Sequence, residues 1–326
     1  MSHPKILFYT YPWAFDVAGG GERQLQIYAN SLKNYDVESE CYDMWHSRID
    51  NFQIFHCFSV MPSCIDMCDY AKQKGLKLVI SPNLWITKET VGNYPSDQIW
   101  NMFELADKIL VNSNMEGDQM SSVFGFPRDK FKTIYNGADS DFMIPADPSI
   151  FKNKFNLVRP FILNVANIEP RKNQLAFINA LRITKPDLDF VIVGEVRDEA
   201  YAAKCKIAGG DHIKYVGSLP YASALLRSAI AGCEFFAMPS LLETPSIAAI
   251  EAACAGAKIL LTNIGSTHEY FGDSVTYVDP LSPSSLSSGI QNALTSSPDK
   301  STWASRNRFL WPSILPDLSE FYQTLI

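Results

Sequence analysis

The sequence of 326 residues lacks a surplus of basic side chains, since 28 Lys and Arg stand against 35 Asp and Glu and give a net charge of −7. Because nucleic-acid affinity comes largely from positive charge on the protein, we expect no nucleic-acid partner. The chain also lacks an uninterrupted run of the roughly 18 apolar residues that a membrane-spanning helix requires. We therefore predict no transmembrane segment, and any anion that the protein binds must be held by local geometry.

The seven cysteines form no CxxC pair, and their number is odd. That pattern fits neither a disulfide framework nor a zinc site, so we predict buried free thiols in a reducing compartment. The apolar start of the chain has no small-residue cleavage site, which favours a first buried strand over a signal peptide. We therefore expect a cytoplasmic protein without a cysteine-bound metal.

Two common nucleotide-binding motifs are also missing. The Walker A pattern GxxxxGK[ST] is absent, and Gly19-Gly20-Gly21 is not GxGxxG, nor does an acidic ribose ligand follow at the usual distance. These absences argue against a P-loop and against a nicotinamide cofactor. Three glycines before a predicted helix either let the backbone approach a ligand closely or form a plain tight turn.

Short apolar strands alternate with amphipathic helices along the chain. Continuous apolar strands joined by helices predict parallel sheets covered on both faces. The alternation breaks over 139–160, a proline-rich stretch that is typical of a linker. The sequence therefore predicts an α/β protein of two Rossmann-like domains, residues 1–150 and 151–305. Ligands of such sheets bind beyond the carboxyl ends of the strands, so we expect the site in a cleft between the domains.

The segment 243–251, Glu-Thr-Pro-Ser-Ile-Ala-Ala-Ile-Glu, is the most informative of the chain. Thr244 is a good N-cap and Pro245 suits the first helical position, so a helix is predicted to start here. Gly256 is predicted to end it in the left-handed conformation. The helix contains mainly Ala and Ile, which indicates that it is buried.

The first turn of this helix leaves the N–H groups of Ser246, Ile247 and Ala248 without helical acceptors, which favours anion binding. Glu243 and Glu251 flank that turn. A carboxylate beside an anion is unfavourable unless it accepts hydrogen bonds, and sugar hydroxyls can donate them. The alternative is that Glu243 only complements the helix dipole and that Glu251 is a solvated surface residue.

A second candidate segment, 161–173, reads as a strand followed by a turn that ends in Arg171-Lys172 just before a helix. Two cations at the carboxyl end of a strand are well placed to neutralise a diphosphate. A plain surface pair is the alternative.

Taken together, these segments resemble the retaining glycosyltransferases of family 4, which have the GT-B fold. Residues 243–251 match the E-x7-E motif of that family. The other matches follow in the family's order and correspond to its GG-x-E-R, AD…vnS, NG-x-D, RKN and GS-x-x-E segments and its C-terminal tryptophan: 19–23, 106–113, 135–139, 171–173, 265–271 and Trp311.

The resemblance implies transfer of a hexose from a UDP- or GDP-sugar to a hydroxyl of a saccharide or glycolipid acceptor, with retention at the anomeric carbon. It implies no metal and no cofactor other than the nucleotide sugar as co-substrate. It also implies a C-terminal helix over 306–326 that packs back on the first domain, and it allows peripheral membrane contact. Two alternatives stay open: a catalytically silent nucleotide-sugar-binding subunit, and a sugar-nucleotide epimerase of similar fold.

Site roles follow from the same resemblance. Glu251 would hold the ribose hydroxyls and Glu243 the donor hexose, while Lys172 and Arg171 would neutralise the diphosphate. Main-chain contacts to the donor would come from the amides of Ser246 and Ile247, the glycine loop and the segment near the base: Gly19, Gly20 and Leu219.

The sequence departs from the family pattern at two places. Asn167 stands where the family often has an arginine, which makes the diphosphate more dependent on Arg171. No histidine follows the strand that ends in 79–83, so Ser81 or Asn83 would take over its acceptor-side role. The histidines that lie elsewhere are predicted to be structural: His46, His56, His212 and His268.

Overall fold

The structure is a computed structural model, and it describes residues 3–16, 18–184, 187–296 and 306–326. These residues form two compact units, each built on a six-stranded parallel sheet. One unit runs to Asn136 and includes Pro312–Ile326, and the other is Gly137–Trp311. The predicted α/β class with two parallel sheets is therefore confirmed.

The first unit alternates strands and helices, and its sheet has the order β2-β1-β3-β4-β5-β6. Its elements are β1 (Lys5–Tyr9), α1 (Gly20–Ser31), β2 (Glu38–Cys41), β3 (Ile54–Cys57), α2 (Ile65–Gln73), β4 (Lys77–Ile80), α3 (Ser96–Leu105), β5 (Lys108–Val111), α4 (Asn114–Phe124) and β6 (Phe131–Thr133). Strand β2, Glu-Ser-Glu-Cys, is polar and mostly exposed at the edge of the sheet, so an apolar pattern alone does not find it.

The second unit has the sheet order β12-β11-β10-β7-β8-β9. Its elements are α5 (Pro148–Lys154), β7 (Phe161–Val165), α6 (Gln174–Thr184), β8 (Asp189–Val193), α7 (Glu199–Gly209), β9 (Ile213–Tyr215), α8 (Ala224–Gly232), β10 (Phe236–Met238), α9 (Ile247–Cys254), β11 (Ile259–Thr262), α10 (Thr267–Phe271), β12 (Thr276–Val278) and α11 (Pro283–Thr295). The chain runs from β7 outward to β9 and then returns to β10 on the other side of β7. This reversal is the topological switch point at which Rossmann sheets bind their ligands.

The prediction of a linker over 139–160 is wrong. Pro148 occupies the first turn of helix α5, a position that proline favours because its missing N–H has no partner there anyway. Phe151 of this helix is fully buried, and its N–H donates to Ser228 Oγ at 2.9 Å. The second unit thus begins at Gly137, ahead of the predicted residue 151, because apolar side chains within the proline-rich stretch pack against α8.

Helix α12 (Trp311–Gln323) closes the described chain, and most of it belongs to the first unit. There Tyr322 Oη lies 2.6 Å from His56 Nδ1, and Ser319 Oγ donates to the carbonyl of Tyr35 at 2.7 Å. His56 is fully buried, its Nε2 lies 2.8 Å from Ser81 Oγ, and burial lowers its pKa to about 3. His56 is therefore a neutral structural histidine, as predicted.

No helix in the described ranges combines the length and the apolar character needed to cross a bilayer.

Candidate active site

The candidate site lies at the switch point of the second sheet. Strands β7 and β10 are hydrogen-bonded neighbours there, with Leu163 opposite Phe236. The turn after β7 carries Arg171 and Lys172, and the loop after β10 carries Glu243. Because parallel strands end at the same edge of a sheet, the fold brings together residues about 70 positions apart in sequence.

Lys172 and Glu243 form a direct ion pair, with 2.7 Å between Nζ and Oε1. Both side chains are mostly buried, at 13% and 6% exposure. The Leu241 N–H also donates to the Arg171 carbonyl at 2.9 Å and joins the two loops through their backbones. The structure thus places two predicted site residues in contact with each other rather than with unrelated partners.

Burial and neighbouring charge together set the protonation of this pair. Burial alone would raise the pKa of Glu243, but the charges of Lys172 and Arg171 outweigh it and lower that pKa below its usual value. The pKa of Lys172 is lowered by burial, and the nearby Arg171 charge acts in the same direction. Glu243 is therefore an ionised carboxylate, and loss of either partner would leave a buried, uncompensated charge that costs about 3–5 kcal/mol.

The backbone of Glu243 is held by the loop that follows β11. Glu243 and Gly265 form a parallel bridge, and the Ser266 N–H donates to the Glu243 carbonyl at 3.2 Å. Gly265 has φ +102°, and a Cβ there would lie 1.9 Å from the Glu243 carbonyl oxygen. The glycine of the GS-x-x-E segment is therefore required by close backbone contact, a role that the motif alone does not reveal.

The Ser266 side chain adds a polar atom next to this contact. It is fully buried, and among the residues that the structure describes its Oγ has no hydrogen-bond partner. Buried hydroxyls are normally satisfied, so an unpaired one beside Glu243 is a candidate ligand contact. Sequence reasoning placed Ser266 in a motif but not in the site.

Helix α9 begins later than the sequence suggested. Ser246, not Thr244, is the N-cap: its backbone is extended, and its Oγ accepts from the Ala249 N–H at 3.3 Å. Pro245 therefore precedes the helix, and the free first-turn amides belong to Ile247 and Ala248. Ser246 is the better cap because its oxygen reaches the third helical N–H, that of Ala249. The helix does not need Pro245 in its first turn.

The end of α9 and the position of its carboxylate follow the prediction more closely. Gly256 lies just beyond the helix with φ +81°, which confirms the predicted left-handed end. Glu251 is only 5% exposed, so the alternative of a solvated surface residue is wrong. Glu251 is therefore a buried carboxylate, and it lies on α9, the helix that directly follows the loop carrying Glu243.

Arg171 is less central than Lys172. Its side chain is half exposed, donates to Glu169 Oε1 at 3.0 Å and lies 3.4 Å from the Leu242 carbonyl. Arg171 therefore lies at the rim of the site, where it adds positive charge next to the buried pair.

Two further predicted contacts lie at other strand ends. Asn167 Oδ1 accepts from the Glu195 N–H at 3.2 Å, so this side chain connects the loops after β7 and β8. Leu219 is half buried in the loop after β9, two strands from β7. The structure does not bring either side chain into contact with the Lys172–Glu243 pair.

The predicted glycine contacts lie in the first unit. Gly19 is the N-cap of α1, which begins at Gly20, so the helix includes two of the three glycines that were predicted to precede it. The Gly19 N–H donates to Glu22 Oε2 at 2.7 Å, and Tyr11 Oη donates to the other oxygen of Glu22 at 3.0 Å. Glu22 therefore caps the helix, and the ligand role of Gly19 and Gly20 stays a prediction.

Asn173 is a positioning residue that sequence reasoning did not assign. It has φ +57°, a conformation that asparagine tolerates better than most residues. Its Nδ2 donates to the carbonyls of Pro239 and Pro280 at 3.1 and 2.9 Å. Asn173 thus fixes the turn that carries Lys172 against the loops after β10 and β12.

Within the described ranges, no group of three or more His, Cys, Asp or Glu side chains is arranged to hold a metal ion.

Two family models match the chain. Residues 146–309 match the model described as Glycosyl transferases group 1, and residues 18–142 match the model described as Glycosyltransferase Family 4. The first match contains every element of the candidate site in the second unit.

Three curated proteins illustrate the relationship. An uncharacterized glycosyltransferase of Methanocaldococcus jannaschii is 24% identical over 90% of this chain and 74% of its own length. The N-acetylgalactosamine-N,N'-diacetylbacillosaminyl-diphospho-undecaprenol 4-alpha-N-acetylgalactosaminyltransferase of Campylobacter jejuni is 29% identical over 53% of this chain and 46% of its own. The serotype-specific mannosyltransferase WbdA of Escherichia coli is 27% identical over 59% and 25%. The matches therefore span less than half of the two bacterial relatives.

Solved structures share the fold over nearly the whole chain. The Anabaena protein HepE in complex with UDP and glucose has a TM-score of 0.82 at 16% identity, covering 99% of this chain and all of HepE. Sucrose-phosphate synthase from Thermosynechococcus elongatus has a TM-score of 0.81 at 15% identity, covering 99% of both chains. These likenesses show the fold, and they confirm the GT-B class that the resemblance implied.

Proposed function

Since the chain belongs to the group 1 glycosyl transferases, we propose that it moves a hexose from a nucleotide diphosphate sugar to a hydroxyl acceptor with retention at the anomeric carbon. The observation that carries this proposal is the buried Lys172–Glu243 pair at the switch point of the second sheet. A cation and a carboxylate held together at the carboxyl ends of two neighbouring strands suit a ligand that has both anionic and hydroxyl groups.

In the proposed reaction the diphosphate is the leaving group, and its charge grows as the bond to the sugar breaks. Lys172 is mostly buried in its pair with Glu243 and would meet that charge directly, Arg171 would add a second cation from the rim, and the amides of Ser246 and Ile247 lie at the start of α9. Preorganised positive groups of this kind stabilise a developing anion strongly because they need no reorganisation. We propose that these groups supply the charge stabilisation without a metal.

The two carboxylates of the E-x7-E segment divide the polar contacts of the donor. Glu243 is ionised and can accept hydrogen bonds from hexose hydroxyls once the diphosphate engages Lys172. Glu251 is buried on the following helix and would accept from the ribose hydroxyls, while the main chain at Leu219 would contact the base. The burial of both glutamates supports this division, because a glutamate is rarely buried unless its carboxylate has partners.

The acceptor is proposed to be a saccharide or a glycolipid, with the protein in the cytoplasm and in peripheral contact with a membrane where the acceptor is lipid-linked. The names of the bacterial relatives, one of which refers to a diphospho-undecaprenol acceptor, are compatible with such acceptors. The UDP complexes of the structural neighbour HepE make a UDP-sugar the first donor to test.

The test is a panel of UDP- and GDP-sugars offered to the purified full chain. We expect one nucleotide class to raise the melting temperature, by an amount equivalent to about 2.7 kcal/mol at a hundredfold excess over its Kd. We also expect release of the nucleotide diphosphate and a product with the anomeric configuration of the donor, read by NMR.

Two outcomes would overturn the proposal. Binding of a nucleotide sugar without turnover in any acceptor pool would identify a silent binding subunit. An altered sugar still attached to its nucleotide would identify an epimerase.

A further inference from the structure

The loops after β7, β8 and β9 form one continuous backbone surface at the carboxyl ends of these strands. The Gly194 N–H donates to the Gly217 carbonyl at 3.1 Å, which joins the loop after β8 to the loop after β9. A Cβ at Gly194 would lie 2.1 Å from the Ala166 carbonyl oxygen, so the loop after β7 is in close backbone contact as well. A nucleotide whose diphosphate lies at the end of β7 can therefore extend across β8 toward β9.

The Glu195 side chain lies on this surface, and its neighbours fix its position. Its N–H donates to Asn167 Oδ1 at 3.2 Å, and its Oε1 accepts from Ser218 Oγ in the loop after β9. Within the described ranges, Glu195 forms no ion pair and its Oε2 accepts no hydrogen bond. The carboxylate therefore keeps most of its capacity to accept.

The neighbouring carboxylates are compensated in a different way. Glu169 pairs with Arg171 at 3.0 Å, and Glu243 pairs with Lys172 at 2.7 Å. Glu195 is the exception at these strand ends, since only the Ser218 hydroxyl meets it. A ligand that lies against Glu195 must supply N–H or O–H donors, because an ionised carboxylate can only accept.

The backbone next to Ser218 offers the complementary kind of group. Leu219 directly follows Ser218, and it is the residue whose main chain is proposed above to contact the base. Across the residues that the structure describes, the Leu219 N–H donates to no protein acceptor. A carboxylate that accepts and a backbone N–H that donates thus lie on either side of Ser218.

The Watson–Crick edge of guanine matches this pair of groups. It presents one acceptor, O6, beside two donors, N1–H and the N2 amino group. A carboxylate accepts from both donors at once, and a backbone N–H donates to O6. Uracil presents a single N–H between two carbonyl oxygens, and adenine presents one amino group beside an acceptor nitrogen. A carboxylate at either of those edges would face an acceptor.

We propose that the sugar donor is a guanosine diphosphate sugar and that Glu195 selects it, by accepting from N1–H and N2–H of the base while the Leu219 N–H donates to O6. The proposal rests on the glycosyl transfer and the base contact proposed above. It assigns to Glu195 a role in specificity and no part in the chemical step.

The test is calorimetric titration of the full wild-type chain with GDP, IDP, UDP and ADP. IDP is GDP without the N2 amino group, so it removes one of the two donors and leaves the rest of the nucleotide unchanged. Because hydrogen bonds to a charged group are stronger than neutral ones, we expect IDP to bind about tenfold and UDP about 10²-fold more weakly than GDP. In the panel above, GDP-sugars should likewise bind more tightly than the UDP-sugars that the HepE complexes suggest.

Glu195→Gln tests the residue itself. It keeps the size of the side chain but replaces one acceptor oxygen by an amino group, which faces the donors of guanine. GDP affinity should fall about tenfold or more, whereas UDP affinity should not fall, so the ratio of the two affinities changes in a way that a loss of stability does not produce. Glu199→Gln, at an exposed glutamate of α7, is the matched control and should leave the ratio unchanged.

Failure of this inference differs from failure of the proposed function. If none of the nucleotides binds the wild-type chain, nucleotide-sugar transfer and the assignment of Glu195 both fall. If UDP or ADP binds as tightly as GDP, if IDP equals GDP, or if Glu195→Gln keeps the wild-type ratio, only the assignment of Glu195 is overturned.

Discussion

Both units are built on a parallel sheet, but one carries charged side chains at the carboxyl ends of its strands and the other carries neutral ones. In the second unit the edge at β7 and β10 carries a buried ion pair, Lys172 and Glu243, with Arg171 at the rim. In the first unit the edge at β4 and β5 carries a neutral chain of carboxamides that ends at Asn83. The side chains at the ends of β7 and β10 can compensate the charge of a ligand, whereas the carboxamides at the ends of β4 and β5 offer oriented dipoles.

Under the proposed function, this difference explains how a protein of net charge −7 would bind an anionic donor. The principal cation, Lys172, is mostly buried, so the low local dielectric strengthens its attraction for an anion and bulk counterions screen it little. The place of the switch point adds to the difference: the second sheet reverses its order between β7 and β10, where the charges lie, whereas the first sheet reverses its order between β1 and β3, away from β4 and β5.

The largest effect is expected from Glu243→Gln, which removes the carboxylate charge and leaves Lys172 buried without its ion-pair partner. Transfer should fall about 10²-fold, because the hexose loses its proposed contact with Glu243 and Lys172 is no longer held in position, and small misplacements in an active site cost about that much. The melting temperature should also drop, because a broken buried pair costs about 3–5 kcal/mol. Glu199→Gln, at an exposed glutamate in the first turn of α7, is the matched control. It should leave the rate unchanged and cost at most about 0.3–1 kcal/mol, the value of a negative charge at a helix N-terminus. If Glu243→Gln turned over substrate at the wild-type rate, the Lys172–Glu243 pair would have no part in the mechanism.

Gly265→Ala tests whether backbone contact positions that carboxylate. Its Cβ would collide with the Glu243 carbonyl oxygen, so we expect a loss of about 1–3 kcal/mol beyond the cost of positive φ alone. Gly256→Ala measures that cost separately, since Gly256 has φ +81° with open space around its Cα. Urea unfolding of both variants gives the difference, and equal losses would show that the collision relaxes freely.

A pH series separates the first unit from the second. Burial lowers the pKa of His56 to about 3 from 6.5, so between these values the unfolded chain binds a proton that the folded chain does not. Stability therefore falls as pH falls through this window, by about 1.4 kcal/mol per pH unit. The pKa of Glu243 is lowered from 4.5, so its contribution is lost only at lower pH, and the range from 6.5 to 4.5 reports His56.

The variant for this series is His56→Gln, whose unfolding free energy should be flatter between pH 6.5 and 4.5. His46→Gln is the control, because His46 is exposed and its hydrogen bond to Asp43 raises its pKa, which gives the opposite sign. An unchanged slope in His56→Gln would show that other groups cause the acid sensitivity.

The smallest effect is expected from Arg171→Met. The half-exposed pair of Arg171 with Glu169 should contribute about 0–1 kcal/mol to stability. Nucleotide affinity should weaken about three- to tenfold, measured by thermal shift or calorimetry, because the rim cation acts in partial solvent. A loss of nucleotide affinity larger than that caused by Lys172→Met would make Arg171, not Lys172, the principal cation of the site.

Local patterns predicted much of this outcome. The alternation of apolar strands and helices gave the α/β class and most strands, because buried parallel strands read as continuous apolar runs. The same patterns missed β2, which is polar at an edge, and took the segment around α5 for a linker because its prolines dominate its buried phenylalanine. They also placed the cap of α9 at Thr244, since both residues are good caps and only the backbone path decides between Thr244 and Ser246.

By itself the sequence determined which side chains are available to form a site. They are the two glutamates of the E-x7-E segment, a lysine after a strand, and glycines at the starts and ends of helices. Spacing along the chain carries this information because the periods of helices and strands are local. Only the tertiary structure decided that Lys172 pairs with Glu243, that Gly265 forms a backbone bridge with Glu243 and that Asn112 donates to Asn83. Those contacts join residues far apart in sequence, and they form because the order of the strands within each sheet, which no local pattern specifies, sets which strand ends become neighbours.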